Sequence, residues 1–115
     1  MGDALQHIDE DMLTELRDVM EEDFPLLIET FLRDSVQRLA TIQDAFQNAQ
    51  TQEFSRACHT LKGSCINLGL DRLADLCRQG ELMGGGVDLS RGKALLQAID
   101  TEYRIVRDLL TPLTS

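Results

Sequence analysis

Hydrophobic residues recur every three or four positions along most of the chain, which is the spacing of amphipathic helices. The longest such run predicts a helix over residues 24–49, and Pro25 is tolerated in its first turn. At a rise of about 1.5 Å per residue, this helix would be roughly 40 Å long. Its apolar stripe consists of Phe24, Leu27, Ile28, Phe31, Leu32, Ser35, Leu39, Ile42 and Phe46.

Shorter stripes predict four further helices, over residues 10–20, about 52–68, 72–83 and from 88 or 90 to 110. Asp9, Thr51 and Asp71 are the predicted N-terminal caps, and Gly69 is the predicted C-terminal stop. A glycine run at 84–86 predicts a flexible loop. Because the connections are short, the pattern favours an all-α fold: an antiparallel four-helix up-down bundle with a short additional N-terminal helix.

Length sets the domain organisation. A chain of 115 residues has room for one hydrophobic core, so residues 1–115 are predicted to form a single domain. Residues 1–8 are predicted to be a loose N-terminal lead-in, with His7 an ordinary surface residue. The core must be built from aliphatic side chains, because aromatic residues make up only 4% of the chain and Trp is absent.

Charge and hydropathy restrict the partners and the compartment. The net charge of −9 argues against nucleic acid and against anionic membranes, since both attract a positive surface. The first 20 residues lack the apolar segment of a signal peptide, and no apolar run could span a bilayer. A cytoplasmic monomer is therefore the expectation.

The three cysteines all fall on predicted apolar helix faces. We interpret Cys58, Cys65 and Cys77 as buried thiols in a reducing compartment. The alternative is a metal site built from cysteines and histidines, but there is no CxxC spacing and the nearby histidine lies on another face. No metal site is predicted.

The helix over residues 52–68 has two different faces. With a rotation of about 100° per residue, its apolar residues fall within about 60° of one line, whereas His59 lies near 140° and Gly63 near 180° from it. Lys62 follows His59 by one turn, and residues 55–70 contain no acid. The apolar stripe consists of Phe54, Ala57, Cys58, Leu61, Cys65 and Leu68.

This exposed face suits a histidine that accepts a phosphoryl group. An imidazole is a competent nucleophile near neutral pH, and a neighbouring ammonium offsets the charge of a transferred phosphoryl group. A glycine costs about 0.5–1 kcal/mol within a helix, so Gly63 indicates close approach by another surface. Taken singly, an exposed histidine or lysine is more often an ordinary surface residue, and Gly63 could instead serve helix packing.

The segment from Ala57 to Cys77 resembles the signature of histidine-containing phosphotransfer (HPt) domains. It reads ACHTLKGSCINLGLDRLADLC, and the long preceding helix with its LLIETFL run is similar to the family as well. The residues that carry the match are His59, Leu61, Lys62, Gly63, Ser64, Leu68, Gly69, Leu73, Leu76 and Cys77.

The resemblance implies a stand-alone, bacterial-type phosphocarrier rather than an enzyme. It would accept a phosphoryl group on His59 from the aspartyl phosphate of a hybrid sensor kinase's receiver domain and pass it to a response regulator. It implies that Lys62 stabilises the phosphoryl group and that Gly63 gives the receiver clearance. No cofactor is implied beyond Mg²⁺ on the partner receiver, and no autokinase activity. Ser55, Arg56 and Ile66 are the predicted docking residues.

One departure concerns the next helix. Some family members carry a glutamine that bonds the histidine, but here that place holds Glu81, with Gln79 two residues earlier. A carboxylate would repel a phosphoryl group, so we expect Glu81 to point to solvent or to a basic residue. Gly80 stands where an apolar residue is expected, which predicts a loose helix end. The alternative function is a non-catalytic helical adaptor that binds receiver or kinase domains.

Overall fold

The chain is all-α in the computed structural model, which describes residues 5–84 and 89–114 and contains no strand within those ranges. The all-α prediction is confirmed, and the predicted helix ends move by a residue or two. No helix of the described ranges has the length and apolar character needed to cross a membrane. The helices are α1 Glu10–Met20, α2 Phe24–Gln47, α3 Thr51–Asn67, α4 Asp71–Met83 and α5 Leu89–Leu110, with short 3-10 helices at Glu21–Asp23 and Thr111–Thr114.

Local chemistry explains some of the helix ends. The carboxylate of Asp9 accepts the backbone N–H of Met12 at 3.2 Å, as predicted for an N-terminal cap. Gly69 adopts a φ of 73°, the left-handed conformation that glycine adopts without strain after a helix. Thr51 and Asp71 are wrong as predicted caps, because each is the first residue of its helix and the side chain of the residue before it makes no capping bond.

Helix α3 lies against both α2 and α4, and α4 in turn packs on α5. All six residues of the predicted α3 stripe are buried, so the apolar side of this helix was identified correctly. On α4, Leu82 is 72% exposed. The reason is that α4 turns Gly80 and Cys77 toward the core, which leaves Leu82 on the solvent side.

The three cysteines are free thiols and all are buried, as predicted. Burial raises the pKa of Cys58 to about 12. A hydrogen bond with Cys65, together with burial, raises the pKa of Cys77. The thiolate is the reactive form of cysteine, and a raised pKa keeps the thiol protonated. Cys58 and Cys77 therefore act as small core residues.

Residues 5–8 are not loose, which corrects part of the predicted lead-in; residues 1–4 lie outside the described ranges. The backbone N–H of Asp9 donates to Gly69 at 2.8 Å, and that of Arg72 donates to Gln6 at 3.0 Å. The Nδ1 atom of His7 lies 2.6 Å from a carboxylate oxygen of Glu102, whose side chain is only 4% exposed. His7 is thus the partner of a buried carboxylate rather than an ordinary surface residue.

We expect His7→Ala to lower the free energy of unfolding by about 1–3 kcal/mol, because it leaves the buried Glu102 carboxylate without this partner. Urea unfolding of the wild type and the variant measures the difference. His7→Gln is the matched control, since its amide can still donate to Glu102 and should recover part of the loss. Equal stability of His7→Ala and the wild type would show that the contact is unimportant.

The end of α4 is also not loose, contrary to the expectation from Gly80. A Cβ atom added to Gly80 would lie 2.6 Å from the Sγ atom of Cys58 and 3.5 Å from a methyl group of Leu95. The missing side chain therefore lets α4 approach α3 closely. Further along, Gly84 is packed in the same way against Ser55, where an added Cβ would lie 2.6 Å from the serine Cβ.

Gly80→Ala should therefore destabilise the protein, although alanine is the better helix former. The added methyl group overpacks the α3–α4 contact, and we expect a loss of about 1–3 kcal/mol in urea unfolding. Cys58→Ala introduced into the same variant should restore most of that loss, since it removes the clashing sulfur atom. A double variant no more stable than Gly80→Ala alone would contradict this explanation.

Candidate functional site

His59 lies on the solvent side of α3, opposite the buried stripe. Its side chain is 63% exposed. The adjacent Cys58 and the nearby Leu61 are almost fully buried and hold the helix in place. The fold therefore presents the imidazole on a fixed helix, within reach of a partner protein.

A single carboxylate, that of Glu81 on α4, joins the imidazole and the neighbouring ammonium. The Nδ1 atom of His59 lies 2.7 Å from Oε2 of Glu81. The Nζ atom of Lys62 donates to Oε1 of Glu81 at 2.8 Å. The expectation that Glu81 points to a basic residue therefore fits Lys62, and Glu81 reaches the histidine as well.

The charge on Glu81 determines which nitrogen of His59 is free. The hydrogen bond from Lys62, followed by that from His59, lowers the pKa of the Glu81 carboxyl below its usual range. An ionised carboxylate can only accept hydrogen bonds, so Nδ1 of His59 must carry the hydrogen that it donates. In the neutral ring the lone pair is then on Nε2, the nitrogen that Glu81 does not contact.

Packing between α3 and α4 sets the position of Glu81. The hydroxyl group of Ser55 donates to the backbone carbonyl of Glu81 at 3.0 Å. The close approach at Gly80 and at Gly84 fixes the same helix pair on either side of that residue. Ser55, which was predicted to be a docking residue, thus has a contact inside the protein.

Lys62 and Gly63 border the imidazole on two sides. The Lys62 side chain is 23% exposed, which places its ammonium at the edge of the surface beside His59. Apart from the adjacent residues and the backbone of α3 itself, no described atom lies within 4 Å of the position that a Cβ of Gly63 would take, so packing against other parts of the described chain does not explain this glycine. The packing alternative for Gly63 therefore finds no support in the described residues.

The other predicted docking residues lie on the same helix. Ile66 is 53% exposed, and Arg56 is exposed with its guanidinium 3.9 Å from the Glu53 carboxylate. Gln79 does not reach His59, because its amide donates to Asp75 at 2.9 Å. The positive charges of Arg56 and Lys62 are compensated, since an acidic side chain pairs with each of them.

A groove with a largely apolar lining is found elsewhere on α3, and His59 is not among its lining residues. Along α3, Ser64 and Asn67 line this groove, which has a volume of about 340 Å³ between α1, α2 and α3. The charged side chains of Asp34 and Arg38 also line the groove. The apolar lining consists of Leu16, Met20, Leu27, Phe31, Leu61 and Leu68.

The chain is similar to known proteins in both sequence and structure. A family model for the Hpt domain matches residues 26–109. The crystal structure of histidine-containing phosphotransfer protein B (HptB) from Pseudomonas aeruginosa PAO1 aligns with a TM-score of 0.90 and 32% sequence identity, covering 96% of each chain. A comparison with curated protein sequences gives no match.

Proposed function

The chain belongs to the Hpt domain family, since the family model covers most of its length, and from this membership we propose that it is a phosphotransfer intermediate of a multistep His-Asp phosphorelay. His59 accepts the phosphoryl group from the aspartyl phosphate of a hybrid sensor kinase's receiver domain. It then passes the group to the aspartate of a response regulator. The observation that carries this proposal is the exposed imidazole whose Nδ1 bonds Glu81 and whose Nε2 is left as the nucleophile.

In the proposed step, the lone pair of Nε2 of His59 attacks the phosphorus atom of the aspartyl phosphate. An N–P bond forms, the P–O bond breaks, and its electron pair remains on the receiver's carboxylate. The ring becomes positively charged, and its Nδ1–H stays hydrogen-bonded to Glu81. Onward transfer reverses these bond changes with a second receiver aspartate.

Lys62 and Gly63 serve this reaction in different ways. The ammonium of Lys62 is one helical turn from His59, where it offsets the charge of the phosphoryl group. Gly63 leaves open space beside the ring, which gives the receiver room to bring its aspartate close. Arg56 and Ile66 are exposed on the same helix and contribute to docking, whereas the docking role predicted for Ser55 is limited by its contact with α4.

We propose that the protein is a phosphocarrier without autokinase activity. The described side chains around His59 provide a nucleophile and a cation, while the Glu81 carboxylate is occupied by both. The Mg²⁺ ion that assists the transfer belongs to the receiver, and the protein needs no cofactor of its own. We further propose that it works as a cytoplasmic monomer.

The finer architecture is also part of the proposal. Helices α2 to α5 form an antiparallel up-down bundle within one domain, and α1 is an additional N-terminal helix. Two connections support this: α2 and α3 are joined by residues 48–50, and α3 and α4 by residues 68–70. Links this short bring consecutive helices back alongside each other.

The experiment that tests the function is phosphotransfer profiling against a panel of phosphorylated receiver domains. We expect rapid formation of an acid-labile phosphate on His59 from at least one receiver. The adaptor alternative is favoured by one observation, the negative charge of Glu81 beside the ring. Stoichiometric receiver binding without phosphohistidine would support the adaptor and contradict the proposal.

A further inference from the structure

Lys62 is already engaged in the unphosphorylated protein. Its ammonium donates to Oε1 of Glu81 at 2.8 Å. The two side chains are 23% and 27% exposed, so the ion pair is shielded from water more than the typical surface pair. A phosphoryl group arriving on His59 must therefore compete with Glu81 for this cation.

The two oxygens of Glu81 have separate partners. Oε2 contacts His59 and Oε1 contacts Lys62. Lys62 can consequently leave the carboxylate while the bond to Nδ1 of His59 remains. The long, flexible lysine stem lets the ammonium move from one anion to another nearby.

We propose that Lys62 exchanges partners during phosphotransfer, and that Glu81 is a positioning residue that competes with the phosphoryl group for the lysine. This inference rests on the proposed function, because it concerns the phosphorylated state of His59. Glu81 holds the ring by Nδ1 and at the same time limits how fully Lys62 neutralises the phosphate. The phosphohistidine is thereby kept less stabilised and is passed on more readily.

The charges of Glu81 and of the phosphoryl group explain why neither anion takes the Lys62 ammonium completely from the other. The described site pairs one carboxylate with one ammonium before transfer, and the phosphoryl group adds a charge of about −2 at neutral pH. The doubly charged phosphate attracts Lys62 more strongly, but Glu81 remains next to both groups. Removing the charge of Glu81 should release Lys62 entirely to the phosphate.

The test follows the phosphoryl group itself. The protein is loaded with phosphoramidate, which transfers its phosphoryl group to imidazole and releases ammonia, and the phosphate is titrated by ³¹P NMR. Released Lys62 favours the dianion, so Glu81→Gln should lower the titration midpoint by about 0.3–0.7 pH units. In a Lys62→Ala background, the same substitution should produce less than half of that shift.

A transfer assay provides a second measurement. If Glu81 restrains Lys62, the lysine should contribute more to transfer once the charge of Glu81 is removed. Lys62→Ala should therefore slow transfer from a phosphorylated receiver about two- to fivefold more in the Glu81→Gln background than in the wild type. Glu53→Gln is the matched control. It removes one acidic charge from the first turn of α3, and the carboxylate of Glu53 contacts Arg56 rather than His59. His59→Gln identifies the phosphohistidine signal by its loss.

The outcomes separate the two proposals. A Glu81→Gln shift of equal size with and without Lys62 would mean direct repulsion between Glu81 and the phosphate, and would overturn the exchange. No shift in either background would overturn it as well. Failure of every receiver to phosphorylate His59, with phosphoramidate still loading the ring, would instead overturn the proposed function.

Discussion

Replacing His59 with glutamine is expected to abolish phosphate uptake from receiver domains while the fold is retained. Glutamine has no ring nitrogen that can form the N–P bond, so the loss should be on the order of a thousandfold or more. The imidazole is 63% exposed, and its removal opens no cavity in the core. We therefore expect the free energy of unfolding to change by less than about 1 kcal/mol.

The measurement is transfer of labelled phosphate from a phosphorylated receiver, with urea unfolding of the same samples. His7→Gln is the matched control, because it removes the other histidine of the chain and should leave transfer unchanged. Phosphate uptake by His59→Gln at the wild-type level would mean that another residue accepts the phosphoryl group. Unfolding of the variant would contradict the surface position of the ring.

The division of α3 into a buried side and an exposed side could be predicted from the sequence because it depends on local periodicity. The positions of Phe54, Leu61 and Cys65 along one helix determine which side can be buried, whatever the partner helices are. The cap at Asp9 and the stop at Gly69 were likewise predictable, because each depends on one residue's own conformation and hydrogen bonding.

The neighbours of His59 could not be predicted in the same way, because they depend on how α4 is aligned with α3. That alignment is set by the close approach of Gly80 to Cys58 and by the bond from Ser55 to the Glu81 carbonyl. Helical periodicity contains no information on such contacts between segments. The absence of acidic residues from 55–70 therefore gave no sign that α4 brings the carboxylate of Glu81 beside Lys62.

The same limit applies to residues 5–8. Their position before the first predicted helix led to the expectation of a loose segment. The partners of Gln6 and His7, which are Arg72 and Glu102, lie far away in the sequence. A lone histidine such as His7 gives no local sign that it meets a buried carboxylate.

Gly63→Leu should separate the stability of the domain from its reaction with receivers. Apart from the adjacent residues and the backbone of α3, no described atom lies within 4 Å of the added Cβ position, so the isolated protein should accommodate the side chain. Leucine is the better helix former, and we expect the free energy of unfolding to rise by about 0.5–1 kcal/mol. The new side chain would occupy the space beside His59 that the receiver needs. Because a displacement of about 1 Å can cost a hundredfold in rate, transfer from a receiver should slow about 10- to 100-fold.

The size of the phosphate donor makes this prediction specific to docking. Phosphoramidate is small and needs no protein contact, so its reaction with His59 should be nearly the same in Gly63→Leu and the wild type. Gln52→Leu is the matched control, since it places the same side chain at an exposed position in the first turn of α3. Receiver transfer that is unaffected in Gly63→Leu would show that the glycine is not needed for clearance. Equal slowing with both donors would indicate damage to the imidazole site itself, because a steric barrier to the receiver leaves the small donor free to react.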